Sequence, residues 1–434
     1  MRRYSSIVRR GLATVAAAAL GVGVYAGLNL GIWSGGSAAA QTVTCDTATT
    51  PFCNSLVPLP HNWMGRVFKL NQAYPAAAPA DAQPWLAFDP KTQQAQYIAA
   101  VLTYFYQGNT RPSVEDSFDP TQNTVRQWYN APWQDFGLNG REPIHGLTRE
   151  RVSKPHELDP HQASSWNNYA VGFYNAPGGV TIGKVWANHG SPNAALASMP
   201  EGTVAAKLLF TTASVTEVPY LQGAPTWNAY VTADPHNGSP KKATPRAVLP
   251  VRLLQIDVAV KDSRVASLTG WVFGTFVYGG GPGGPAGSGW TNVAPVGLMW
   301  GNDPGHTGAS PLTQTWLNPA VHMPHVGFQG RLNGPVDNKA SSCLSCHSTA
   351  ETPAGVMIPP NGPAGAPWFR NIPSGTPFDA GRQSMDYSLQ LAVGLTNFKT
   401  TGAIHAAPNH AALTALMKRV DAASARPARD GGRH

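Results

Sequence analysis

Charge is what this 434-residue chain has least of: Asp, Glu, Lys and Arg make up only 12% of it, about half the share usual in soluble domains. No run of Lys and Arg with interleaved aromatics is present, which argues against a nucleic-acid surface. Hydrolase signatures are missing as well. There is no Gly-x-Ser-x-Gly, no Walker loop and no carboxylate cluster beyond ordinary surface acids. His156-Glu157 followed by His161 misses the zinc-protease spacing by one residue, and Pro160 breaks the helix that spacing needs. Gly279-x-Gly281-x-x-Gly284 fails as a dinucleotide fingerprint, because it runs into Pro285 where a helix should open; Gly279–Gly289 reads instead as a flexible hairpin loop.

Turn formers and apolar residues fill the space that charge leaves. Gly (45) and Pro (39) are about a fifth of the chain, against roughly 12% on average. Apolar residues are 42%, ample for a buried core in two or three structural units. This composition describes a loop-rich protein and excludes a helical bundle.

The amino terminus carries Arg2, Arg3, Arg9 and Arg10, then Leu12–Trp33 with Asn29 as its one strongly polar side chain, then Ala38-Ala39-Ala40 before Gln41. Residues 1–40 therefore read as a signal peptide, or as an uncleaved N-terminal membrane anchor, since the apolar run approaches spanning length. Either way the body is expected outside the cytoplasm, in the periplasm, free or held at the inner membrane. The arginine pairs lack the residues that twin-arginine export expects after them. Without this segment the formal net charge falls from +8 to +4. In an oxidising compartment Cys45 and Cys53, eight apart, are expected to form a short-loop disulfide.

The other two of the four cysteines fall in Cys343-Leu344-Ser345-Cys346-His347. Two thiols three residues apart can each add to a vinyl group of one porphyrin, and the next imidazole then lies under the iron. A zinc site would need four ligands, and Cys45 and Cys53 are far upstream. A thioredoxin-like dithiol would open a helix after a strand, whereas Ser341-Ser342 follows the polar loop Gly334–Lys339. The motif thus predicts one covalent haem c, with Cys343 and Cys346 as thioethers and His347 as proximal ligand.

The second axial ligand decides between an electron carrier and an enzyme with an open iron. Met385, just before a predicted helix, is the first candidate, and Met357 in Gly355–Pro360 is the second. His322-Met323-Pro324-His325 offers two imidazoles and a thioether upstream, for the distal face or for a second metal with His306. Arg141, His145, Arg149, Arg151, His156 and His161 form a further polar group whose arginines suit haem propionates. The plainer uses are hydrogen-bonded loop histidines for the first group and surface solvation for the second.

Residues 41–165 read as a mixed loop and helix region, with a helix over Ala95–Tyr106. Residues 166–300 read as antiparallel β, with strands at Val204–Thr212, Thr226–Thr232, Arg252–Val260 and Gly270–Tyr278 and a strand-like segment at Trp290–Trp300. In the third strand Leu253, Gln255, Asp257 and Ala259 alternate with Leu254, Ile256, Val258 and Val260, giving one apolar face. Residues 301–420 form the expected haem-binding region, with helices over Asp386–Phe398 and His410–Val420. Residues 421–434 read as a disordered tail. The fold class expected is α+β: a mostly antiparallel β body with a small helical haem c segment near the C-terminus.

Signal, long non-haem region and one late Cys-x-x-Cys-His resemble exported bacterial monohaem cytochrome c family proteins, on Cys343–His347 alone. Strands ahead of a late motif also resemble the β-sheet cytochromes whose haem c is cross-linked to a lysine. In that family the iron is open towards hydroxylamine and nitric oxide. Lys207 and Lys184 lie in suitable surroundings, with no motif fixing either. Three functions follow. The first is a haem c electron carrier with a periplasmic or membrane redox partner. The second is a haem c enzyme acting on peroxide or nitrogen-oxide and hydroxylamine-type substrates. The third is an exported non-redox zinc or disulfide binding protein.

Overall fold

The structure, a computed structural model, describes residues 59–110, 119–134, 141–142, 144–235, 246–279, 289–360 and 362–405. All of them belong to one compact unit within Thr42–His434. The signal segment, Cys45, Cys53, most of Gly279–Gly289, the helix expected over His410–Val420 and the tail lie outside the described residues. Among the described residues no helix is long and apolar enough to cross a membrane.

An eight-stranded antiparallel sheet organises the unit. Its strands are β1 (Thr148–Arg149), β2 (Asn168–Tyr174), β3 (Val204–Thr211), β4 (Thr226–Thr232), β5 (Arg246–Lys261), β6 (Trp271–Tyr278), β7 (Val293–Met299) and β8 (Thr315–Leu317). The order is β1-β2-β3-β5-β6-β7-β8, with β4 pairing the first half of β5. The sixteen-residue β5 is the longest strand and pairs β3, β4 and β6. β-Branched and aromatic residues fill these strands because their stiff side chains suit a pleated, covered surface.

Both faces of the sheet are covered, and they differ in kind. On one face Ile256, Val258 and Val260 join a large core with α1 (Gln94–Tyr106), which buries Tyr97, Ile98, Val101, Tyr104 and Phe105. That spacing sets one helical stripe against the sheet, and α1 ends before Gly108, whose φ of +79° suits a residue without a β-carbon. On the other face Ala259, Phe273, Val277 and Met299 pack with α2 (Ala176–Val185), α3 (Cys343–His347) and α4 (Leu389–His405). The alternation in β5 thus separates two covered faces, and its polar side lies under the motif.

The expected small helical haem c segment near the C-terminus is not what forms, and the fold class is corrected accordingly. Among the described residues between 301 and 388 the only α-helix is the five-residue α3; short 3-10 turns, β8, the paired β9 (Glu351–Thr352) and β10 (Gln383–Ser384), and loops make up the rest. Proline and glycine recur through Gly355–Pro373 and prevent an i→i+4 ladder from propagating. The motif is instead a single turn laid on the sheet. The helix expected from Asp386 begins at Leu389, because Asp386 and Tyr387 are left-handed, with φ of +47° and +65°.

The contact of α1 with the sheet sets a size limit. A β-carbon on Gly274 of β6 would lie 2.4 Å from Ile98 Cδ1 and 3.3 Å from Val258 Cγ2. Gly274→Ala is expected to lower stability by roughly 1–3 kcal/mol, read as a lower denaturant midpoint at unchanged slope; an unaltered midpoint would mean α1 yields freely.

Candidate haem-binding site

A reciprocal cap makes Cys343–His347 helical. Ser345 N–H donates to Ser342 Oγ at 3.1 Å, and Ser342 N–H donates to Ser345 Oγ at 2.8 Å, closing a capping box around an otherwise marginal turn. Ser342 Oγ in turn donates to Asn302 Oδ1 at 3.1 Å, and Cys343 N–H to Leu332 O at 3.0 Å. Leu344 anchors the turn in the core with no exposure. Cys343, Cys346 and His347 stand at i, i+3 and i+4 and share one face.

Beneath that face runs one register row of the sheet. Gly172 pairs Lys207, Lys207 pairs Asp257, Asp257 pairs Thr275 and Thr275 pairs Gly297. Thr275 donates to Asp257 at 2.8 Å and lies 3.8 Å from Cys343 Sγ. Gln255 Nε2 donates to Asp257 at 2.9 Å and to Asp337 Oδ2 at 3.0 Å. Lys207 Nζ pairs with Glu150 Oε1 at 3.0 Å, their side chains keeping 34% and 30% of their surface. Asp257, Asp337, Cys346 and His347 are likewise half-buried. These half-buried groups lie close to one another between the sheet and the motif.

Burial controls the protonation of this cluster. It pushes the Cys343 thiol well up, helped by Asp257 and Asp337, and the Cys346 thiol up to about 12. Neither cysteine is in a disulfide. A reactive dithiol would show the opposite shift. Burial, with the like charge of Asp337, also raises Asp257. At Lys207 burial acts against the ammonium, but Glu150, Asp337 and Asp257 outweigh it and the pKa rises. The charge here is therefore a lysine held among carboxylates.

His347 is held from behind. Its Nδ1 meets Tyr387 O at 2.9 Å, which makes Nδ1 the protonated nitrogen. Its ring packs on Phe273 with centroids 4.6 Å apart. Nε2 has no hydrogen-bond partner among the described residues and is not sealed in the core. Two unpaired thiols and a free Nε2 on one face are the donor set that covalent haem requires. The residues present fit the group.

No family model, curated protein or solved structure matches this chain. The resemblance to cytochromes c thus rests on the motif and its geometry.

The remaining candidates are scattered. Met385 has no exposed surface; it packs in the core with Leu344 and Leu391, its N–H bonded to Ala350 O at 2.7 Å, two residues before the carbonyl that holds His347 Nδ1. Met357 lies in an exposed loop with Val356 and Ile358. His322 is exposed, His306 Nε2 meets Gln329 O at 3.1 Å, and His325 Nδ1 meets Val326 O at 3.4 Å. Among the described residues no three His, Cys, Asp or Glu side chains converge as a metal set. Arg141 and Arg149 are buried, and His145 stacks on Trp227 at 4.9 Å. His156 and His161 are exposed. Arg151 ties Glu157 at 2.6 Å to Val336 O at 2.9 Å, and with Lys154 and Lys339 it lines a cavity of about 600 Å³. Cys343, Cys346 and His347 do not line that cavity, so it is not taken as the site. Lys184 stands at the end of α2, away from the register row that contains Lys207.

Sequence reasoning missed Thr275, Asp337, Tyr387 and Asp386. The polar alternation of β5 and the strand position of Lys207 were the signals of this surface.

Burial and the Lys207 charge push His347 down to about 4 from 6.5, against the Tyr387 carbonyl. The unfolded chain then binds a proton that the fold refuses, so His347 lowers stability as pH falls from about 6.5 to about 4. In the haem-free chain the His347 resonances are expected to titrate near the lower value; a midpoint at the ordinary value would show the ring to be solvated.

Proposed function

We propose that this chain is an exported c-type cytochrome that carries one covalent haem and transfers electrons with a periplasmic or membrane redox partner. The observation that carries the reading is His347: Nδ1 is committed to Tyr387 O while Nε2 is left without a partner, beside two unpaired thiols. Bound haem would supply a one-electron iron couple. Cys343 and Cys346 would hold it through thioethers, and His347 Nε2 would ligate the metal. Tyr387 O orients the imidazole and raises its basicity. Phe273 excludes water from one side of the ring. The reading of export rests on residues 1–40 alone.

Met385 favours a second reading, a haem c enzyme with an open sixth position. Its thioether is enclosed in the core beside the segment that grips His347, and Met357 sits on an exposed loop. Beside the motif stand Lys207, Glu150, Asp257 and Asp337, groups able to hold or move a proton. Peroxide or nitrogen-oxide and hydroxylamine-type substrates suit such a site. The zinc or dithiol reading is weaker, because zinc and exchange chemistry both use thiolates and both thiols here are driven towards the protonated form.

The test is the visible spectrum of the dithionite-reduced protein, made in a host that matures c-type cytochromes, before and after carbon monoxide. A c-type spectrum unmoved by carbon monoxide supports the carrier, and a shifted one supports the enzyme. His347→Ala is expected to abolish normal ligation. Met385→Ala is expected to cost roughly 2–5 kcal/mol of stability and to leave the spectrum unchanged; loss of a low-spin spectrum would make Met385 a ligand. Wild-type protein without covalent haem would defeat both haem readings.

A further inference from the structure

Asp386 immediately precedes the Tyr387 carbonyl that meets His347. Its carboxylate has no exposed surface and gathers donors from four separate segments. Oδ2 accepts from Met199 N–H at 2.8 Å, ahead of β3. Lys261 Nζ, at the end of β5, reaches Oδ1 at 3.1 Å and Oδ2 at 3.2 Å. Trp271 Nε1, at the start of β6, donates to Oδ1 at 3.0 Å, and Ser374 Oγ donates to the same oxygen at 2.5 Å. Lys261 also contacts Ser374, and its ammonium lies 5.4 Å from the Trp271 ring.

This much anchorage is more than a surface turn needs. Asp386 and Tyr387 are consecutive non-glycine residues in the left-handed region, where each costs of order 1–3 kcal/mol unless its surroundings impose it. The strained pair has one visible product. It holds the start of α4 back to Leu389 and turns the Tyr387 carbonyl onto His347 Nδ1. Tyr387 adds its own tie, its hydroxyl donating to Ile372 O at 2.5 Å.

We propose that Asp386 is a positioning residue for the iron ligand, fixing the left-handed turn that presents Tyr387 O to His347 and thereby tuning the imidazole as a donor. This rests on the haem reading. A strong Nδ1–H···O bond makes the imidazole more basic and favours ferric over ferrous iron. Loosening the turn weakens that bond, so the midpoint potential should rise. Asp386 touches neither His347 nor the cofactor position; it acts only through the Tyr387 backbone.

The experiment compares Asp386→Asn and Ser374→Ala with wild-type holoprotein by midpoint potential and by exchange of the His347 Nδ1 proton in the reduced state. Asp386→Asn is expected to raise the potential and to speed exchange about tenfold, the equivalent of one weakened hydrogen bond. Ser374→Ala should do the same to a smaller degree, and it decides the matter if Asp386→Asn does not fold. A folded variant with a lower thermal midpoint but unchanged potential and exchange would overturn the proposal, since a purely structural role moves stability alone. Covalent haem is checked first. If wild-type protein carries none, the haem reading fails by itself, and the His347 tautomer in the haem-free chain, read by nitrogen NMR, still tests the brace. A His347 proton staying on Nδ1 in both variants would then overturn it.

Discussion

One hydrogen bond, from His347 Nδ1 to Tyr387 O, organises the site. It crosses forty residues of chain and joins the motif turn to the start of α4. The imidazole can present Nε2 outward only while the other nitrogen is engaged, so the donor set exists as a set because this contact is made. The capping box of α3 orients the thiols, but it leaves the ring free to rotate. The carbonyl removes that freedom.

Around this contact the sheet acts as a template. Pairing in fixed register puts Lys207, Asp257 and Thr275 side by side, with Gly172 and Gly297 flanking them. The glycines are needed for closeness: a β-carbon on Gly172 would lie 2.1 Å from Gln390 Nε2, and one on Gly297 2.4 Å from Trp316 O. Side chains therefore occupy only the middle of the row, with α4 close over Gly172 and β8 crowding Gly297. A register slip of one residue would turn Lys207 and Asp257 towards the α1 core.

Much of this was legible from the chain. The spans of β3, β4 and β6, and of α1, follow from apolar periodicity, which burial against a sheet enforces locally. The motif stands out in the chain because covalent haem attachment, the chemistry proposed for it, needs fixed residues at fixed spacing. The helical C-terminal segment was misread. Apolar residues around Leu389 signalled α4, but nothing local showed that Asp386 and Tyr387 would adopt left-handed angles, since donors from Met199, Lys261, Trp271 and Ser374 impose them. Likewise, the alternation in β5 shows one apolar face but not what covers Gln255 and Asp257. Only the tertiary cover of residues 332–347 makes them a floor. Side chains whose role is set by distant partners leave no periodic trace.

The raised thiols carry a consequence for biogenesis. A sulfur pushed up to about 12 is ionised to only ~10⁻⁵ at neutral pH, and thiol–disulfide exchange runs through the thiolate. Once folded, Cys343 and Cys346 are slow to close on each other or on a foreign disulfide. The folded scaffold thus shields both sulfurs of the motif from exchange.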